Sequence, residues 1–375
     1  MEKGTNRRNF LQKTAALLSG ALIAGKAGLA VNERKEMQED PIKSIRPMGF
    51  QWETQDPFLF CVHHEDHYPK GNSKLGPDAS LEGRHIGQDF VVKDGWRMYH
   101  GDHVPGFPGH PHRGFETITV VRTGFVDHSD SLGAAGRYGF GDVQWMTAGK
   151  GVQHAEMFPL VKSDANNPLE LFQIWLNLPK ANKFVEPHFK MLWADSIPNV
   201  TEKDASGKST MIEVLAGKLG TNKAPDSPPN SWANSSENDV AIWNIQMEAG
   251  AVWTMPKAAA GVNRSVYLYE GDSINIGGHG VKNYHAADVK ADSELTITAG
   301  PNTCKILVLQ GRPINEPVVQ HGPFVMNSRE EIQQAFADYQ RTQFGGWPWK
   351  ESGPTHGKTR GRFALHADGK LEEKS

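Results

Sequence analysis

The chain has 375 residues, 38% hydrophobic and 22% charged, with a formal net charge of −3. This suits a soluble protein of one large or two medium domains and shows no sign of a basic nucleic-acid-binding face. Its 39 glycines and 23 prolines argue against a helical bundle, and its two cysteines, Cys61 and Cys304, are too few for a disulfide framework and read as isolated thiols.

From the start of the chain, residues 5–13 are basic and polar and contain Arg7-Arg8 with Phe10-Leu11 behind them. An apolar stretch from Thr14 to Gly25 follows, then Lys26 and the small-residue end Gly28-Leu29-Ala30. Basic, apolar and small segments in that order predict an export signal over residues 1–30. The arginine pair resembles a twin-arginine signal, with Asn6 departing from the usual Ser or Thr. Such a route carries folded proteins, so a periplasmic location and loading of any metal before export are expected. The apolar run is too short for a secure membrane span. Residues 31–45 are polar and read as a linker.

Between residues 52 and 92 the pattern is short and turn-rich, with a histidine group, His63, His64 and His67, expected to be exposed. Adjacent strand residues point to opposite faces, so His63 and His64 make a poor chelating pair. From Arg113 onward short runs rich in β-branched and aromatic residues alternate with glycine turns: 116–121, 125–128, 143–146 and 171–176. This rhythm predicts an all-β barrel or sandwich. A Pro/Ser/Asn-rich stretch over 201–239 reads as an insertion or linker between a first domain, 46–200, and a second, 240–345, where the strand rhythm resumes. Ser328 and Glu331 form a capping box before one helix with Ile332, Ala335, Phe336 and Tyr339 at helical spacing. Residues 346–375 read as a surface tail.

Two segments carry the chemistry. In Gly109-His-Pro-His-Arg-Gly-Phe-Glu116 the histidines stand at i and i+2, and in Gly151-Val-Gln-His-Ala-Glu156 the same spacing holds His154 and Glu156. Residues two apart on a strand share a face, about 6.5–7 Å apart. Two such strands facing each other across a barrel supply three imidazoles and a carboxylate, a donor set for one divalent first-row metal with positions left for substrate. Glu116, by its parity, is a rival ligand or a group that orients a histidine. His103 is expected near the pocket, and Phe107, Phe115, Trp145, Met146 and Phe158 are candidates to line it.

The segments His110–Thr117, Gly141–Gly149 and His154–Met157, with Phe172–Pro179 and Gly322–Asn327, resemble the pirin family of the cupin superfamily over roughly residues 46–345. The resemblance implies a bicupin: two antiparallel, jelly-roll-like β-barrels with a few short helices. It implies a metal bound in the first barrel only, by His110, His112, His154 and Glu156, with Glu116 not a ligand. Lys257 and Ala259 stand by count where the second barrel would need His110 and His112. The expected ion is Fe(II), with Mn, Ni, Cu and Zn also compatible with the donors. The implied activity is oxygenation of a flavonol or similar phenolic by O2, of the quercetin 2,3-dioxygenase type, with Glu156 as ligand and proton acceptor. The alternative is a metal-dependent binding or redox-sensing protein that regulates a partner. No nucleic-acid partner is expected, and no stable membrane span after signal removal.

Overall fold

The computed structural model describes residues 40–374, so the expected export signal and most of the expected linker lie outside the described residues. All paired strands are antiparallel, and they build two barrels. The first combines two six-stranded sheets. One runs 188–192, 143–147, 115–123, 167–177, 58–68, 51–52; the other runs 371–374, 362–365, 135–139, 125–130, 152–157, 106–112. The second barrel combines a seven-stranded sheet, in the order 42–47, 285–290, 263–270, 304–311, 241–247, 209–216, 199–203, with a four-stranded one.

The continuous apolar runs follow from how the barrels meet. On Asn263–Glu270, Val266 and Leu268 point into the second barrel, whereas Tyr267 and Tyr269 point outward, into a core shared with the first. On Phe115–Thr123, Ile118 and Val120 enter that shared core, and Val121 faces the first barrel's interior. A strand buried on both faces has no solvent side to keep polar, so its alternation disappears. The two free cysteines are buried in different clusters.

Three expected boundaries differ from the structure. Ile42–Pro47, partly assigned to a linker, is the edge strand of the second barrel, paired with His285–Lys290. Most of the segment from 199 to 216, assigned largely to a polar insertion, forms two strands of the seven-stranded sheet. The tail, read as a surface segment, is partly strand: Arg362–Leu365 pairs with Ala135–Gly139 and extends the sheet that carries the histidines. In each case the partner strand is more than 25 residues away or on the other side of a turn, so local composition does not report the pairing. The helix Arg329–Thr342 forms with the full capping box at Ser328 and Glu331, and packs Ile332 and Ala335 on Phe324 and Met326.

Candidate metal centre

His110 and His112 end the strand Gly106–His112; His154 and Glu156 lie on Val152–Met157. These strands do not face each other across the barrel, as expected from sequence, but are hydrogen-bonded neighbours in one sheet. His110 sits opposite His154, and a bulge at 108–109 separates that pair from Phe107 opposite Glu156. Direct cross-strand neighbours on one face are already within reach of one ion. The ring centroids are 4.4 Å apart for His110 and His154, and 4.8 Å for both His110–His112 and His112–His154. One nitrogen from each ring lies within 4.8 Å of the others, and among the described residues no other group of His, Cys, Asp or Glu converges this way.

The electrostatics suit a cation. Burial holds the three imidazoles well below their ordinary range, His110 down to about 4, so all three are neutral donors of lone pairs. His110 Nδ1 lies 2.9 Å from the Pro108 carbonyl and His112 Nδ1 3.4 Å from the Pro323 carbonyl. A carbonyl accepts only, so these contacts put the proton on Nδ1 and leave Nε2 free for a metal. Both His154 ring nitrogens are buried without a hydrogen-bond partner. Such a ring is costly to bury, and a metal ion supplies the missing partner. The residues therefore fit a bound divalent ion.

Glu156 lines the same cavity, but its carboxylate stands outside the three-histidine cluster. Oε1 is 2.7 Å from Thr119 Oγ1 and 3.4 Å from the Tyr138 hydroxyl, and Oε2 accepts from Gln173 Nε2 at 2.9 Å. Thr119 Oγ1 is also 2.5 Å from Gln173 Oε1. One hydroxyl proton cannot serve both acceptors at once, so Thr119 donates to one of them. Burial pushes the Glu156 carboxyl up, which makes its carboxylate a stronger proton acceptor. The cavity has a volume of about 440 Å³ and is walled largely by aromatic rings, among them Phe107, Phe158 and Trp175. That lies within the roughly 300–1,000 Å³ typical of small-molecule sites.

Glu116 does not reach the centre. Arg113 and Gly114, the latter at φ +87°, turn the chain between the strand of His110 and the strand of Glu116, so parity does not carry across. Glu116 shares its face with Ile118, away from the interior, and accepts from Thr147 Oγ1 at 2.6 Å and Ser231 Oγ at 2.5 Å. It orients no histidine; it pins the segment around Ser231 to the first barrel. Burial raises its carboxyl to about 7. A raised folded-state value contributes stability that is present in full below the ordinary value near 4.5 and is lost as pH rises through about 7. Between pH 5 and pH 8 the wild type should therefore lose on the order of 3 kcal/mol relative to Glu116→Gln. Urea midpoints at the two pH values check this; parallel curves for the two proteins would rule it out.

Other expected positions also shift. His63 and His64 are buried, His63 between Glu170 and Tyr284 and His64 in the cavity wall; of the group only His67 is exposed. Phe107 and Phe158 line the cavity, whereas Phe115 stacks on Trp175 behind His112, and Trp145 and Met146 belong to apolar clusters. His103 is exposed and His100, not His103, lines the cavity. Lys257 and Ala259 lie in the connection between Val252–Met255 and Asn263–Glu270. Sequence reading missed Thr119 and Gln173, which sit opposite each other on paired strands. Each is a polar residue inside an apolar strand run, a signal available to period-two reading.

Fold and site define a bicupin with a three-histidine cavity in its first barrel. Residues 42–176 match the pirin family model and residues 242–345 the model of the pirin C-terminal cupin domain. A Pseudomonas aeruginosa protein whose name assigns it, provisionally, as a quercetin 2,3-dioxygenase is 36% identical over 241 residues, 64% of this chain and 79% of that protein. Human pirin is 32% identical over 255 residues, 66% of this chain and 80% of its own. A crystal structure of quercetin 2,3-dioxygenase from Acinetobacter baumannii superposes with a TM-score of 0.64 at 25% identity, covering 82% of this chain and 98% of that one. The chain belongs to the pirin family.

Proposed function

We propose that the protein is a metal-dependent oxygenase that acts on a flavonol or similar phenolic with O2, with His110, His112, His154 and Glu156 as the metal ligands and Fe(II) as the ion. The observation that carries the reading is the union of three neutral imidazoles and a buried carboxyl on one aromatic-walled cavity. The likeness to proteins named as quercetin 2,3-dioxygenases supports the substrate class.

When bound, the ion supplies Lewis-acid polarisation of a phenolic oxygen and redox coupling to O2. The chain's own residues do the rest. Pro108 and Pro323 carbonyls hold the imidazole tautomers. Phe107, Phe158 and Trp175 bind a flat ring and exclude water from it. Glu156 takes the phenolic proton at a carboxylate oxygen, in a network where Thr119, Tyr138 and Gln173 set its orientation. To serve as the fourth ligand as well, one Glu156 oxygen would have to turn from that network toward the three histidines.

Oxygen uptake with flavonols and catechols, on protein loaded with iron, manganese, copper or nickel, tests the activity. Uptake with at least one flavonol is expected. Its absence across all four metals overturns the oxygenase reading in favour of a binding protein. The same proposal places the protein in the periplasm, on the strength of Arg7-Arg8 and the apolar stretch behind them. A reporter active only when exported folded, fused after residue 35, should gain activity, and Arg7→Lys with Arg8→Lys should abolish it.

A further inference from the structure

The cavity has a second polar pole that the metal centre does not use. His64 lies on Phe58–Tyr68, is 4% exposed, and lines the cavity. Its Nδ1 is 2.8 Å from the Tyr99 hydroxyl, and that hydroxyl is 2.6 Å from Asp66 Oδ2. Asp66 is fully buried and accepts from Arg97 Nε at 3.0 Å and Nη2 at 3.2 Å. Burial pushes the Asp66 carboxyl up and Arg97 pulls it back. With guanidinium N–H groups on both oxygens, the ionised form is the one this geometry accommodates.

The protons can then be counted. A tyrosine has one hydroxyl proton, and a carboxylate can only accept, so the proton of Tyr99 goes to Asp66. Toward His64 the tyrosine oxygen is an acceptor, which requires Nδ1–H on the imidazole. Burial, with the charge of Arg97, holds His64 down to about 3, so the ring is neutral and Nε2 keeps its lone pair. No residue among those described donates to that nitrogen. The arrangement is held under strain: Tyr99 sits at φ +56°, in the left-handed region, exchanging backbone hydrogen bonds with Asp89 at 2.8 and 3.0 Å. Phe107 touches both poles, its ring centroid 6.0 Å from that of His64 and 6.3 Å from that of His110. A flat ligand lying along Phe107 has an acceptor at one end and the histidine cluster at the other.

We propose that His64 Nε2 is a positioning acceptor for a ligand hydroxyl remote from the three histidines, so that the cavity selects aromatic compounds hydroxylated at both ends. This inference rests on the phenolic reading of the site and names its substrate class more narrowly. The test compares quercetin, hydroxylated on both outer ring systems, with 3-hydroxyflavone, which lacks those outer hydroxyls, by absorbance titration of the metal-loaded protein. The wild type should prefer quercetin by about tenfold, the worth of one good hydrogen bond. In His64→Phe the preference should fall below about twofold while affinity for 3-hydroxyflavone holds. His64→Gln, whose amide oxygen also accepts, should restore part of it, and Tyr99→Phe should fall between. Metal content and thermal midpoint confirm that each variant is folded. An unchanged preference in His64→Phe overturns the inference, as does failure of the wild type to bind either flavonol. Oxygen uptake read on the same samples separates the two readings: no turnover with the preference intact removes the oxygenase activity and supports the His64 role.

Discussion

Protein carrying His154→Ala is expected to come off purification without its metal, where the wild type holds about one ion per chain by elemental analysis. Removing groups that merely orient a ligand typically costs 10–100-fold in metal affinity, so deletion of a ligand on the central strand should cost more than about 100-fold. The fully buried position of His154 makes the consequence for stability unusual. Its two unpartnered nitrogens are a burden in the metal-free protein. Truncation removes that burden along with some packing, so the metal-free forms should differ little in urea midpoint. The difference should appear on adding metal: the wild type gains stability by mass action and the variant does not. A metal-free variant that is grossly unfolded, or one that still binds metal stoichiometrically, would contradict the assignment. Glu156→Gln asks a separate question. A large loss of metal makes Glu156 a ligand; metal retained with oxygen uptake lost leaves it the proton acceptor.

Gly114→Ala should be a strongly damaging single methyl in the first barrel. A Cβ at this position would lie 2.0 Å from the Val325 backbone oxygen, and the φ of +87° is itself unfavourable for alanine. Gly114 is also tied in place: its N–H donates to the Gly149 carbonyl at 2.9 Å, and its own carbonyl accepts from Lys183 Nζ at 2.7 Å. Lys183 is completely buried, and it also donates to Asn177 and to the Val325 carbonyl. Neither backbone can yield without breaking this network, so the cost should exceed about 3 kcal/mol. Gly133→Ala separates the two causes, since Gly133 has φ +84° with nothing within 4 Å of its Cβ. It should cost only about 1–2 kcal/mol, the conformational part. Because the displaced segment carries Pro323, whose carbonyl faces His112, Gly114→Ala should weaken metal binding as well. Equal urea midpoints for the two variants would show that the close approach to Val325 is unimportant.

The strand content, the capping box of the helix and the pairs His110–His112 and His154–Glu156 were legible because each rests on short-range spacing. Period-two placement puts two side chains on one face wherever the strand ends up. The same rule misled at Glu116, where the turn at Gly114 resets the face, and at the pairing of the two motif strands, since spacing within a strand says nothing about which strand lies beside it. His64 and His63 point to opposite faces and do not chelate together, and the place of His64 in the cavity wall is fixed with Tyr99, 35 residues away.

Sequence alone determined that this chain is a β-protein of the pirin type with two strand-spaced ligand pairs, because those features are encoded within single strands and their bounding turns. Only the tertiary structure decided that the N-terminal strand completes the second barrel, that the C-terminal tail extends the first, and that Glu156 turns toward Thr119 and Gln173. These depend on pairings between distant segments, where many partners satisfy the same local pattern. Burial of apolar surface, with most buried polar groups given a partner, selects among them.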